Sequence, residues 1–244
     1  LNKKDIIPYK TSGGLDTVAI RMPSNVIARA IIKEAGIPIA APSANISGRP
    51  SPTKAKHVYE EMNGRVDGIV LGGDSNFGLE STVLDLTEET PMILRPGSIT
   101  KEVLEELLGE VKLDPSLSKK EDNQKAKAPG MKYKHYSPNA DVYIISGKRE
   151  NVATKINDMI KSNRDKGLKT GVMCISRNRE FYDGEVIDLG NSLEEVASNL
   201  FDALIEMDKK GVDVIYSEEF PKTGVGQAIM NRLLKSAGYK VIKA

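Results

Sequence analysis

Short apolar runs alternate with helical stripes along the first half of this chain. One helix is predicted after Ser24 and ends at Gly36, because serine caps a helix and glycine ends it. A second helix is predicted from Ser51-Pro52, since proline suits the first helical turn, and a third from Thr100 to Leu108. The apolar runs that predict strands are 17–22, 37–41, 68–71, 81–86 and 92–94.

The pattern changes at residue 112 and becomes regular again at residue 141. Seven lysines crowd the stretch between them, which lacks apolar periodicity, is broken by prolines and is longer than an ordinary connection. From 141 onwards strand and helix patterns alternate regularly, which favours a mostly parallel sheet covered by helices. We therefore predict an α/β protein with one domain at 1–111, a linker or lid at 112–140 and a second domain at 141–244.

Composition excludes several classes of protein. The 244 residues carry a net charge of +1, so no strong overall field draws the chain to nucleic acid or to an anionic membrane. No apolar stretch approaches the roughly 20 residues that span a bilayer, and no signal peptide is visible. The single cysteine, Cys174, lies in an apolar run, which predicts a buried structural thiol in a reducing compartment. We expect a cytoplasmic protein, and the first residue, Leu1, predicts that the natural N-terminus lies elsewhere.

The segment 41–53 carries the densest small polar residues of the chain, directly after an apolar run. Ser43 and Asn45 are two apart, so in extended backbone they offer a hydroxyl and an amide on the same side. Ser51 is predicted to begin a helix whose N-terminal end favours anions, although it could equally serve only as a cap. The segment as a whole predicts a loop that binds a phosphate, a carboxylate or a sugar.

Further polar side chains follow predicted strands. Arg21, Ser81 and Arg95 stand at strand ends, where ligands gather in open α/β sheets, and they suit an anionic substrate. In the linker, Tyr133, His135 and Tyr136 could form a lid over a nucleotide, because a tyrosine ring can stack on a base. The alternative is a basic linker that touches RNA or is only solvated. His57 is predicted to be exposed on a helix, and no metal site is predicted.

Six motifs together resemble the threonylcarbamoyl-AMP synthase family. They cover nearly the whole chain in the family's order: the strand with Arg21, APSANISGRPSPT (41–53), LESTV (79–83), ILRPG (93–97), APGMKYKHYSP (128–138) and GVGQAIMNRL (224–233). The resemblance implies a YrdC-like twisted open sheet with helices, N-terminally incomplete, followed by a small Rossmann-like parallel α/β domain. It also implies synthesis of an acyl adenylate from L-threonine, bicarbonate and ATP, with pyrophosphate released. The product would serve the N6-threonylcarbamoyl modification of tRNA adenosine.

The resemblance also assigns roles to single residues. Those that would face ATP are Thr17, Ser43, Asn45, Ser51, Arg95 and Tyr133. Those that would face threonine are Arg21, Ala41 and Ser81, and His135 and Tyr136 would belong to the lid. No covalent enzyme nucleophile is implied, and Mg²⁺ is expected with ATP. The partner implied is the tRNA threonylcarbamoyl transferase machinery. A contact with double-stranded RNA or tRNA would be incidental, and no contact with a membrane is expected.

The chain departs from the family's pattern at its start. The family's catalytic domain begins upstream, with a lysine-x-arginine motif and a threonine, and no counterpart precedes Thr17. We therefore expect the 244-residue chain to lack threonine-dependent ATP–pyrophosphate exchange, and an N-terminally completed form to have it. The main alternative function is a non-catalytic RNA-binding module that uses the basic linker, which steeply salt-dependent RNA binding without any ATP effect would favour.

Overall fold

The structure, a computed structural model, describes residues 1–117 and 136–244. Its first half contains the helices α1 (Val26–Ala35), α2 (Ala55–Met62) and α3 (Lys101–Leu108) and the strands β1 (Val83–Asp85), β2 (Met92–Arg95) and β3 (Lys112–Leu113). β1 pairs antiparallel with β2, and β2 pairs parallel with β3. The first two residues of the predicted linker thus join this small sheet.

Three of the predicted strands are absent from the described part of the chain. Residues 17–22, 37–41 and 68–71 form no ladder there, apart from an isolated bridge between Asn2 and Thr17. Their apolar side chains face solvent, with Ile20 73% and Val70 66% exposed. The prediction is wrong at these segments because an apolar run becomes a strand only when a neighbouring strand pairs with its backbone and covers its side chains.

The second half follows the predicted alternation. It contains the strands β4 (Asp141–Ser146), β5 (Thr170–Cys174), β6 (Glu185–Asp188), β7 (Val214–Glu218) and β8 (Val241–Lys243), with the helices α4 (Arg149–Arg164), α5 (Leu193–Lys209) and α6 (Val225–Ser236). The sheet order is β6-β5-β7-β4-β8, and all neighbours are parallel. The prediction of an α/β fold with a parallel C-terminal sheet is confirmed.

Two apolar clusters cover the two faces of the five-stranded sheet. α5 and α6 supply one cluster, which includes Phe201 and Leu233, and α4 supplies the other, which includes Ile156. Cys174 lies in the second cluster and is buried, as predicted. α5 and α6 are therefore packed against one face of the sheet. Both helices also contact the first half of the chain.

Charged side chains connect α5 to α2. Lys54 pairs with Asp202 at 2.6 Å, Lys56 with Glu206 at 3.0 Å and Lys209 with Glu60 at 2.9 Å. The loop before β1 lies on the same helix, where Ser198 donates its hydroxyl to the Asn76 carbonyl at 3.2 Å. No helix within residues 1–117 and 136–244 is long and apolar enough to cross a membrane.

Candidate functional site

The small-residue loop 43–51 is a tight turn. Ala44 adopts a φ of 50°, and the Asn45 amide donates to the carbonyls of Ile46 and Arg49 at 2.9 and 3.2 Å. The predicted extended backbone with Ser43 and Asn45 on one side is therefore wrong at this point. The reason is that the Asn45 amide closes its own turn, as asparagine side chains commonly do.

Ser51 does not begin the following helix. α2 starts at Ala55 after the extended residue Lys54, and residues 51–53 precede the helix, with the Thr53 carbonyl accepting from the Ser75 amide at 2.8 Å. The predicted anion site at a helix N-terminus on Ser51 is thus wrong. Instead, the Ser51 hydroxyl donates to Oε1 of Glu80 at 2.8 Å, and this bond joins the loop to the strand region 29 residues further along.

Glu80 is a point where three segments of the chain meet. Its Oε2 accepts from Nε of Arg232 at 2.8 Å, and its backbone carbonyl accepts from Nη2 of the same arginine at 3.2 Å. Burial acts to raise the pKa of Glu80, but the charge of Arg232 and the hydrogen bonds from Arg232 and Ser51 lower it below its ordinary value. Glu80 is therefore an ionised acceptor between the small-residue loop and α6.

Tyr136 adds the third segment. Its ring stacks on Phe201 with centroids 5.1 Å apart, and burial and the charge of Glu80 raise its pKa, with a hydrogen bond to Glu80 as a further cause. The adjacent Ser137 amide donates to the Gly48 carbonyl at 3.1 Å. The end of the linker is thus attached both to Glu80 and to the loop. The other lid residues, Tyr133 and His135, lie outside the described residues.

Two further cationic side chains, Arg95 and Lys235, lie near Glu80. Nε of Arg95 donates to the Ser81 carbonyl at 3.1 Å, and burial and the charge of Arg232 lower the pKa of Arg95. Lys235 is 4% exposed, and burial followed by the charges of Arg232 and Arg95 lowers its pKa to about 8. Among the described residues, three cationic side chains thus lie near one carboxylate, and their mutual repulsion contributes to the lowered pKa values of Arg95 and Lys235.

The remaining predicted residues lie outside this cluster. Thr17 forms the bridge with Asn2, and Arg21, Ala41 and Ser43 are exposed. The charge of Arg21 does contribute to lowering the pKa of Arg95, so these two arginines are near each other. Of the residues assigned from the sequence, the structure brings together Ser51, Ser81, Arg95 and Tyr136.

Sequence reasoning missed Glu80, Arg232 and Lys235. Arg232 carried the clearest signal, because a charged residue stands on the apolar face of α6 between the buried Ile229 and Leu233. A charged side chain on such a face is almost never fully buried unless it is paired. That rule predicts a carboxylate partner for Arg232, but it does not say which carboxylate of the chain this is.

A second polar group lies between α2 and α5. His57 is 2% exposed rather than at the surface as predicted, because α5 packs over α2. Its Nε2 lies 3.3 Å from Oδ1 of Asp202 and 3.8 Å from Oε1 of Glu206, a set that could hold a metal ion. The two carboxylates are, however, already paired with Lys54 and Lys56. Their charge is thus balanced without a metal.

Comparison with known proteins identifies the family. Residues 99–238 match the family described as threonylcarbamoyl-AMP synthase, C-terminal domain, and residues 1–97 match the family described as telomere recombination. The threonylcarbamoyl-AMP synthase of Pyrococcus abyssi is 48% identical over 244 residues, which are 100% of this chain and 70% of the relative. This chain belongs to the threonylcarbamoyl-AMP synthase family.

Further relatives support the same family. The threonylcarbamoyl-AMP synthase of Bacillus subtilis is 46% identical over 99% of this chain and 69% of its own length. The crystal structure of P. abyssi Sua5 complexed with L-threonine matches with a TM-score of 0.93 and 47% identity, over 100% of this chain and 71% of that one. Family membership and the α/β fold are therefore confirmed, and the chain is a nucleotidyltransferase by family. The assignment of single residues to ATP or threonine stays a prediction.

Proposed function

We propose that this chain belongs to an enzyme that synthesises L-threonylcarbamoyladenylate from L-threonine, bicarbonate and ATP, and that the chain supplies part of the substrate site. The observation that carries the proposal is the match over the whole chain to a relative crystallised with L-threonine, at 47% identity and a TM-score of 0.93. The cluster around Glu80 supports it, because it brings together Ser51 and Arg95, two residues that the family resemblance assigns to ATP.

The proposed chemistry needs no covalent enzyme nucleophile. The amine of threonine takes up carbon dioxide from bicarbonate to give a carbamate, and a carbamate oxygen attacks the α-phosphorus of ATP. The bond between the α-phosphorus and the bridging oxygen breaks, and pyrophosphate leaves, with Mg²⁺ expected on the phosphates. Catalysis would then depend on positioning and on stabilising the charge that develops at phosphorus.

The residues divide between the two substrates. Arg21 would bind the threonine carboxylate through its two-pronged guanidinium, with Ala41 and Ser81 beside it. Ser51 and Arg95 would face ATP from the cluster around Glu80. Thr17, Ser43, Asn45 and Tyr133 would complete the nucleotide contacts.

The product would pass to the machinery that modifies tRNA adenosine, in the cytoplasm. The alternative function, RNA binding without catalysis, depends on lysines of the linker, most of which lie outside the described residues. The two functions separate in one titration series. Binding of tRNA that falls steeply with salt and ignores ATP would favour the RNA-binding module.

Threonine binding tests the proposal directly. Calorimetry of this chain should show a one-to-one threonine site, and Arg21→Ala should weaken it roughly a hundredfold, since two charge-assisted hydrogen bonds are lost. Arg29→Ala, which removes an exposed arginine of α1, is the matched control and should leave threonine affinity unchanged. A chain that binds no threonine, or variants that do not differ, would contradict the proposal.

Catalysis is measured separately. Threonine-dependent ATP–pyrophosphate exchange is followed with this chain and with a form extended by the sequence that precedes the matching region in the P. abyssi relative. Exchange in the extended form alone would agree with the expectation drawn from the missing lysine-x-arginine motif. Exchange in neither form would overturn the proposed reaction.

A further inference from the structure

We propose that Arg232, in the C-terminal domain, is a positioning residue for the nucleotide loop. It acts through Glu80, whose carboxylate orients the Ser51 hydroxyl, so that α6 completes a site built mainly from the first half of the chain. The inference rests on the proposed function, because it takes Ser51 to be a nucleotide contact.

The first step is the burial of Arg232. Its side chain is 0% exposed, and its guanidinium donates to the Glu80 carboxylate at 2.8 Å, to the Glu80 carbonyl at 3.2 Å and to Oδ1 of Asn231 at 3.0 Å. A buried ion pair adds little stability relative to well-packed apolar residues of similar volume. What Arg232 does provide is orientation, because the bonds to the Glu80 carbonyl and to Asn231 hold the planar guanidinium in place, and its Nε then fixes one oxygen of the Glu80 carboxylate.

The second step is the sharing of the carboxylate. Oε2 of Glu80 faces Arg232, and Oε1 accepts the Ser51 hydroxyl at 2.8 Å. Tyr136, from the end of the linker, also bonds Glu80. Arg232 therefore sets the place of the acceptor on which both the loop and the linker depend. If the arginine is removed, a buried carboxylate loses its cation and must move towards water or take up a proton.

The third step concerns the chemistry that Ser51 presents. A serine hydroxyl has one hydrogen, and Glu80, as an ionised acceptor, takes it. The Ser51 oxygen is left with lone pairs only, so it can accept a hydrogen bond from a ligand but cannot give one. This matches a ribose hydroxyl or the adenine amino group of ATP and does not match a bare phosphate oxygen. Arg232 thus helps to set the nucleoside specificity of the loop.

The test uses the chain as it is, with the variants Arg232→Met and Arg232→Lys. Hydrogen–deuterium exchange without ligand should rise at residues 43–53 in Arg232→Met. ATP affinity measured by calorimetry should fall about tenfold, as expected for one lost hydrogen bond to a charged network, while affinity for threonine and for inorganic tripolyphosphate stays within about twofold. Arg232→Lys should recover part of the ATP affinity, because it restores the cation without the planar fork.

Lys209→Met is the matched control. It also removes a contact between the two halves, the 2.9 Å pair with Glu60, but it does not touch Glu80. It should leave exchange at residues 43–53 and ATP affinity unchanged. If Arg232→Met does not fold, Glu80→Gln replaces it in the comparison with the parent, because glutamine keeps the volume of the side chain. Glu80→Gln should weaken ATP binding to a similar extent.

The outcomes separate the two proposals. Three results in Arg232→Met would overturn the positioning role while leaving the proposed function intact. They are unchanged hydrogen–deuterium exchange at residues 43–53, unchanged ATP affinity, or an equal loss of affinity for ATP, threonine and tripolyphosphate. An unsubstituted chain that binds neither ATP nor threonine would overturn the proposed function. In that case increased hydrogen–deuterium exchange in Arg232→Met would show only a contact between the domains. The positioning role of Arg232 for a nucleotide would then be overturned together with the proposed function.

Discussion

Lys235 offers a quantitative test of the charge arrangement around Glu80. Its side chain is 4% exposed at the end of α6, and burial followed by the charges of Arg232 and Arg95 lowers its pKa from 10.5 to about 8. At about 1.36 kcal/mol per pKa unit, this difference corresponds to roughly 3 kcal/mol by which the folded state disfavours the charged amine. Lys235→Met removes that cost, and methionine fills a similar volume with apolar atoms.

The sign follows from proton binding. Between pH 8 and 10.5 the unfolded chain holds the Lys235 proton while the folded chain releases it, so stability rises with pH across this window. Below pH 8 both states are protonated and the full cost is present. We therefore expect Lys235→Met to be more stable than the parent at pH 7 by up to about 3 kcal/mol, and this difference should shrink towards pH 10.5.

The assay is urea unfolding of both proteins at several pH values, because comparing the pair cancels the other groups that titrate in this range. Lys243→Met, which changes an exposed lysine of β8, is the control and should show neither effect. A difference between parent and Lys235→Met that does not depend on pH would refute the reasoning. So would a variant that is less stable at pH 7, since Lys235 would then contribute favourable contacts that outweigh its burial.

Four further predictions follow from the same contacts. Burial lowers the pKa of His57 below 6.5, so as the pH falls the unfolded chain is protonated at His57 before the folded chain is. The free energy of unfolding should therefore fall between pH 7 and pH 5, and it should fall by more in the parent than in His57→Gln. Gly78→Ala should destabilise the chain by about 1–3 kcal/mol in urea unfolding, because a Cβ would lie 2.1 Å from a carbonyl of α5, whereas Gly68→Ala, with open space, should not. Burial raises the pKa of Cys174 to about 12, so thiol reagents at pH 8 should modify it only in the unfolded chain; rapid modification of the native protein would contradict this. The protein should take up protons when it binds ATP at pH 8, since an anion near Lys235 favours the charged form of its amine. The binding enthalpy measured by calorimetry should therefore depend on the buffer, and Lys235→Met should abolish this dependence.

The C-terminal half could be predicted well because each of its patterns finds a partner within the chain. Ser192 accepts from the Glu195 amide at 3.2 Å and caps the N-terminus of α5, and the apolar stripe of that helix reaches Phe201 and the parallel sheet. Local sequence and tertiary packing agree there, which is the condition under which pattern reasoning succeeds.

The first half was less predictable for the opposite reason. Capping preferences predicted the start of α2 at Ser51, but the Ser51 hydroxyl bonds Glu80 and the Thr53 carbonyl bonds the Ser75 amide, so residues 51–53 stay outside the helix. Both partners lie more than twenty residues away, and local spacing carries no information about them. The local geometry of the loop was therefore predicted wrongly, whereas the ligand roles of its residues stay predictions.

The cluster around Glu80 joins the two halves of the chain through side-chain hydrogen bonds. A serine from the loop, a tyrosine from the linker and an arginine from α6 all bond a single carboxylate. A stable junction between two domains would be achieved as well by apolar residues, without the desolvation of charged groups. The charged groups at this junction are therefore explained by the positioning role proposed for Arg232, which apolar residues of the same volume would not perform.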